Sequence, residues 1–217
     1  MTARETKKII DEGENSHTEF KRKFSTDEKI AKEIIAFANS NGGRIFFGVD
    51  DDGSIVGVQS EKETAYLVSQ TSREYCEPPV NLNISVIELY GKDVVISEIP
   101  ESKTKPHRIQ DFKSQINYNT AKVFIRMNSK SVQASKEMIK FLHTSFGNFE
   151  EMKFNFGEKE KTLFNYLEKH EKISTKDFSK LVNISERRAQ RILIKLVRMG
   201  VIFLHQEEGG RIYFTHK

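Results

Sequence analysis

Cysteine is nearly absent: Cys76 stands alone among 217 residues. A lone thiol excludes an internal disulfide and any cysteine-based zinc or iron–sulfur centre built within one chain. No apolar run approaches the length of a membrane span, so no membrane partner is expected. The segment from Met1 to His17 is charged and has no apolar stretch of the kind a signal peptide needs, which predicts a cytoplasmic protein. Internal repeats and low-complexity tracts are also missing. Hydrophobic residues reach 37% against 30% charged. That share is low for a globular chain, yet it is enough for a core and argues against disorder. The length fits one large domain or two small ones, at roughly 100–200 residues each.

The charge is unevenly placed. Residues 1–157 carry 22 Lys and Arg against 23 Asp and Glu, whereas residues 158–217 carry 13 against 8. The positive excess of the chain therefore sits in its last 60 residues. A basic terminal module is a common electrostatic footprint of nucleic-acid binding.

Periodicity predicts a helix over Asp27–Ser40, with Ile30, Ile34, Phe37 and Ala38 on one face, Thr26 or Ser25 as its N-cap and Asn41-Gly42-Gly43 as its stop. Arg44–Val49 and Ser54–Val58 read as a hairpin around Asp51-Asp52-Gly53. A helix over 61–75 ends at Glu77-Pro78-Pro79. Asn83–Tyr90 and Asp93–Ile99 read as a second hairpin, Lys122–Met127 as a strand and Ser135–Phe146 as a closing helix. Strands and helices alternate without regular βαβ spacing, which predicts an α+β domain over residues 1–146. A polar and aromatic connector fills 147–157. From 158 to 217 the pattern is three helices, Glu160–His170, Thr175–Val182 and Glu186–Met199, the last capped by Ser185 and closed by Gly200. Two short strands, Val201–Leu204 and Arg211–Phe214, flank Glu207-Glu208-Gly209-Gly210. Three helices followed by a β-hairpin is the winged form of helix-turn-helix.

In that module the third helix carries Arg187, Arg188, Arg191, Lys195 and Arg198. Ala189, Ile192, Leu193, Leu196 and Val197 can face inward, leaving Arg187, Gln190, Arg191, Ile194 and Arg198 near an outer face. Arginine on such a helix can grip guanine edges bidentately, and the remaining cations can neutralise phosphate. The alternative is a solvated face that contacts protein. The acidic wing tip, Glu207 and Glu208, argues slightly against a wing lying on phosphates.

Gly43 to Gly48 has the spacing of a phosphate loop, but Val49-Asp50 stands where the lysine and hydroxyl should be. ATPase activity is therefore not expected. Asp52 reads as a hairpin turn; Asp50 is harder to dismiss. Glu14 and Glu19 lie five residues apart around an apolar-flanked strand ending Thr18-Glu19-Phe20-Lys21. A carboxylate inside such a strand needs a cation or a metal. With Asp50 or Asp51 the two glutamates could hold a divalent ion for phosphodiester cleavage. The alternative is a salt bridge from Glu19 to Arg44 or Lys21. Lys21-Arg22-Lys23 reads equally as a groove for nucleic acid or as a charged strand edge.

Several ordered motifs together resemble the Schlafen AlbA-like domain. They are Glu19-Phe20-Lys21, Ala36-Phe37-Ala38-Asn39-Ser40-Asn41-Gly42-Gly43, Phe47-Gly48-Val49-Asp50-Asp51-Asp52-Gly53 and Val56-Gly57-Val58. Pro78-Pro79, the run from Ile99 to His107 and Val123-Phe124-Ile125-Arg126-Met127 extend the resemblance over about Glu14 to Phe146. It implies a mixed or antiparallel sheet with flanking helices, often joined to a winged helix, in DNA-binding transcriptional regulators. A further resemblance, to animal Schlafen proteins that cleave transfer RNA, implies a nuclease site at Glu14, Glu19 and Asp50 or Asp51, with Mg or Mn as its metal. Those nucleases pair two lobes, which a homodimer could supply here.

The leading expectation is therefore a nucleic-acid-binding regulator, with DNA favoured over RNA. Lys21, Arg22, Lys23, Arg187, Arg188, Gln190, Arg191, Lys195 and Arg198 are its candidate contacts, and no cofactor is called for. The alternative is a metal-dependent endoribonuclease of tRNA-like substrates.

Overall fold

The computed structural model describes residues 1–146, 157–199, 201–207 and 209–216, with 144–146 and 198 described by backbone alone. Gly200, Glu208 and the connector up to residue 156 lie outside the described residues. The chain forms two compact units, Met1–Gln133 and Ala134–Lys217. Among the described residues no helix is long and apolar enough to cross a membrane.

The first unit opens with helix α1 (Ala3–Asp11), nucleated by a capping box in which the Glu5 amide donates to Thr2 Oγ1 and the Thr2 amide donates to the Glu5 carboxylate. Strand β1 (Thr18–Lys21) leads to helix α2 (Asp27–Asn39), capped by Thr26 as expected. Strand β2 (Gly43–Phe47), helix α3 (Glu61–Glu74) and the two-residue strand β3 (Cys76–Glu77) follow. Then come β4 (Asn83–Leu89), β5 (Lys92–Ile99), the short β6 (Arg108–Ile109), β7 (Phe124–Met127) and β8 (Lys130–Gln133).

The main sheet runs β1-β2-β5-β4. Its β1–β2 pair is parallel and the other pairs are antiparallel, so the sheet is mixed. Side chains alternate between its faces, as a strand's period of two requires. Ile45, Phe47, Val95 and Ile99 point to the side covered by α2 and α3 and join Ile30, Ile34 and Phe37 in one core cluster. Phe20, Phe46, Val94 and Ile96 point to the other side, where Ile10 of α1 completes a second cluster. Phe20 meets Phe46 edge-on at 5.9 Å. Two separate ribbons, β3–β6 and β7–β8, flank the sheet.

One expectation is corrected, and two elements appear that the sequence did not predict. Ser54–Val58 is no strand: it makes one bridge, Val49 with Ile55, and then turns at Gly57 so that the Val58 amide reaches the Asp93 carbonyl. Strand β8 has no counterpart among the expected elements. Helix α1 has none either, since it buries only Thr6 and Ile10. The Asn39–Gly43 run is a junction. Asn39 donates to the carbonyls of His107 and Phe124 and accepts from the His107 amide at 2.7 Å. Gly42 takes φ +73°, and a Cβ there would lie 2.7 Å from the Ile99 carbonyl oxygen. Only glycine fits that crossing from α2 into β2.

The second unit holds helices α4 (Lys136–Phe146), α5 (Glu158–Leu167), α6 (Thr175–Leu181) and α7 (Glu186–Arg198). It ends in an antiparallel hairpin of β9 (Ile202–Gln206) and β10 (Ile212–His216). Ser174 and Ser185 cap α6 and α7. Leu163, Phe178, Ala189, Leu193, Leu196, Ile202 and Phe214 form its core. Helix α4, expected to close the first domain, lends Phe141 to this core instead. Helix α4 also packs against α7, and a further expectation is corrected: Ile194, expected on the outer face of α7, is 6% exposed within the same cluster.

Candidate functional site

The period of two that sends Phe20 to the α1 side sends Glu19 to the α2 side, where it pairs in register with Ile45. Glu19 is 7% exposed. A carboxylate held there requires partners, and it has two cations. One oxygen accepts from the Lys21 ammonium, and Oε2 accepts from Arg126 Nη1 at 2.8 Å. Arg126 itself comes from β7 and is the centre of the cluster. Its Nη1 also reaches Glu33 of α2 at 3.3 Å and the Ser131 hydroxyl at 3.1 Å. Its Nη2 donates to the Asn15 carbonyl at 2.9 Å, and its guanidinium lies 4.5 Å from the centre of the Phe37 ring. Ser131 of β8 donates in turn to Glu33. Arg126 Nε has no hydrogen-bond partner.

Of the two expected salt-bridge partners for Glu19, Lys21 is one, but Arg44 pairs with Glu98 at 2.8 Å. Arg126 and Glu33 were not singled out from the sequence. Both carry a readable signal: Arg126 interrupts the apolar run Val123–Met127, and Glu33 falls at i+3 from Ile30 on the buried face of α2.

Glu14 lies beside this cluster and accepts from the Phe20 amide at 2.8 Å. Burial pushes its carboxyl above the ordinary 4.5, and the neighbouring charges of Glu19 and Asp51 push the same way, against the Phe20 amide and Lys21. Glu14, Glu19 and Asp51 thus share one neighbourhood. Asp50 does not turn into it: Arg22 Nη1 holds its carboxylate at 2.5 Å. Asp52 caps its own turn, accepting from the Ser54 amide. Among the described residues no group of three His, Cys, Asp or Glu side chains is placed to hold a metal ion. Glu19, moreover, has a cation on each oxygen. The arrangement therefore does not fit Mg or Mn at Glu14, Glu19 and Asp50.

The candidate contacts divide sharply. Lys21 and Arg22 are engaged by Glu19 and Asp50, and Lys23 is exposed. On α7, Arg187, Arg188 and Arg191 are exposed and make no ion pair among the described residues. Gln190 and Lys195 are half-buried, and the Arg198 side chain lies outside the described atoms. At 3.6 residues per turn, Arg187, Arg188, Arg191 and Lys195 fall within an arc of about 100° opposite Ala189, Leu193 and Leu196. On the hairpin, Glu207 is paired with Lys172 at 2.5 Å.

Residues 14–135 match the family described as Schlafen, AlbA_2. Among solved structures, the chain is similar to the DIP2311 protein of Corynebacterium diphtheriae, at 14% identity and a TM-score of 0.41 over 55% of this chain. That match spans only 25% of the Corynebacterium chain. It is also similar to the N-terminal domain of an ATP-dependent DNA helicase RecG-related protein of Nitrosomonas europaea, at 15% identity and a TM-score of 0.43 over 72% of this chain and 99% of that one.

Two outcomes are expected of the cluster. Arg126→Met strands Glu19 and Glu33, and the first unit should lose about 3–5 kcal/mol of stability, read as a lower urea midpoint. Adding Glu19→Gln and Glu33→Gln to it should restore part of the loss, because no uncompensated carboxylate is left buried. Glu14 sets a pH dependence. Its folded pKa lies above the unfolded value, so its contribution is fully present below 4.5 and is lost as pH rises through the raised folded pKa. Urea unfolding of parent and Glu14→Gln should give a gap that grows in favour of the variant from about pH 4 to pH 7. A gap independent of pH would contradict the shift.

Proposed function

The chain belongs to the Schlafen, AlbA_2 family, and from that premise we propose that it binds nucleic acid, duplex DNA in preference to RNA, as a regulator of transcription. The observation that carries the reading is the row of exposed arginines on α7, Arg187, Arg188 and Arg191, which make no ion pair among the described residues. Helices α5 to α7 and the β9–β10 hairpin follow the order of a winged helix-turn-helix, and the chain just before α6 joins the hairpin through the Ile173–Phe214 bridge. In that arrangement the third helix enters the major groove. Arg187 and Arg191, one turn apart on its outer face, are placed to meet base edges or phosphates, with Arg188 beside them. Guanidiniums that already serve an internal carboxylate would have to break that pair to bind; among the described residues these three have none to break.

The nuclease reading gains no comparable support, since its central carboxylate, Glu19, is neutralised from within the fold by Lys21 and Arg126.

Binding of a randomised duplex library, measured at two salt concentrations, tests the proposal. Arg187→Ala with Arg191→Ala should weaken binding by about 100-fold and lower the salt slope by about 2, because two cation contacts are lost. A double variant that binds duplex as the parent does would remove α7 as the contact surface.

A further inference from the structure

A second feature of the first unit has no structural purpose within the fold. The loop after β6 lifts Phe112 into solvent, where its side chain is 91% exposed. The backbone of Phe112 takes φ +56°, a left-handed conformation that bulky residues rarely adopt. The strained turn is braced from beneath. Buried Arg108 donates through Nε to Asp111 and through Nη2 to the Lys113 carbonyl at 2.6 Å. Asp111 also accepts from the Lys113 amide. Gln110 accepts from the Phe112 amide at 2.8 Å while donating to Glu77. A buried guanidinium and two side-chain clamps, Asp111 and Gln110, thus hold the turn that presents the ring outward, at a cost in backbone strain and with little of the ring buried in return. Strain retained in this way points to function.

The surroundings say which kind. Residues 113–115, which follow the ring, are exposed and polar, so the chain after Phe112 does not extend its apolar surface. Across the β3–β6 ribbon, the Gln110 amide donates to the Tyr75 carbonyl, which sets a second exposed aromatic, Tyr75 at 38%, beside the loop. Arg73 and Lys113 are exposed and make no ion pair among the described residues, Lys113 acting on Asp111 only at longer range. The nearby carboxylates of Asp111 and Glu77 are taken up by Arg108 and Gln110, and Glu74 accepts from Gln70. Exposed aromatic rings with exposed cations close by in the chain, Lys113 next to Phe112 and Arg73 two residues from Tyr75, are the elements of a stacking platform for unpaired bases.

We propose that Phe112, with Tyr75 beside it and Arg73 and Lys113 as phosphate contacts, forms a binding site for single-stranded nucleic acid, separate from the duplex surface of α7. The site stacks one unpaired base on the Phe112 ring without reading its identity. It adds to the nucleic-acid reading given above but does not use α7.

The chain contains no tryptophan, so Phe112→Trp places a single indole reporter at the site. Titration of this variant with oligo-dT should quench its emission to saturation, as a base stacks on the indole. Phe112→Ala should bind oligo-dT ~5- to 150-fold more weakly than the parent while keeping its duplex affinity. Phe112→Gly, which relieves the left-handed strain, should melt at or above the parent's temperature yet lose the same affinity. Arg187→Ala with Arg191→Ala, run in parallel, should lose duplex and leave the quench intact. Unchanged oligo-dT affinity in Phe112→Ala, or unchanged indole emission at saturating oligo-dT, overturns the site even if duplex still binds. The same unchanged affinity combined with altered self-association or protein capture assigns the ring to a protein contact and likewise overturns it. Loss of duplex binding alone counts only against α7.

Discussion

Arg126 is the residue around which the first unit closes. Acceptors converge on one guanidinium from far along the chain, Asn15 and Glu19 at the turn into β1 and Glu33 in α2, and from its own ribbon, Ser131 in β8. Each carboxylate alone would be too costly to bury on the α2 side of the sheet. Two carboxylates near one guanidinium and the Lys21 ammonium leave the cluster close to neutral, and that neutrality lets the β7–β8 ribbon lie against α2. The Phe37 ring beneath Arg126 links the ion pairs to the apolar core, so packing and charge hold the same position.

The elements legible in the sequence were those whose signals are local. Helices α2, α3 and α7 announce themselves by a capping hydroxyl followed by apolar spacings of three and four, and β4–β5 by two runs joined at Gly91-Lys92. Glu19 was singled out as a buried charge in need of a partner, and Lys21, two residues away, was named. Arg126 lies 107 residues from Glu19 and Glu33 lies 93 residues from Arg126, separations at which no periodicity operates. Ile194 fails for a related reason. A helical wheel gives its angle on α7 but not the presence of α4, which packs against α7 and joins the same cluster. The Ser54–Val58 segment has strand-like composition, yet its backbone groups turn to Gly48 and Asp93 instead of extending a ladder.

The two units dispose of their charge in opposite ways. In the first, the conspicuous cations are spent internally: Lys21 and Arg126 on Glu19, Arg22 on Asp50, Arg44 on Glu98, Arg108 on the Phe112 loop. In the second, Arg187, Arg188 and Arg191 of α7 are left open to solvent. Charge that is already paired stabilises a fold; charge left unpaired on a rigid helix stays available to an external anion.

The central claim is that the carboxylates around Glu19 are closed by the protein's own cations, not by a metal. Thermal unfolding of the parent and of Glu19→Gln, each with Mg or Mn added stepwise, tests it most directly. An ion that bound the folded cluster would raise the melting temperature by mass action. The account predicts an equal, flat response of both proteins to either metal. A rise in the parent that Glu19→Gln abolishes would contradict it and return the cluster to the nuclease reading.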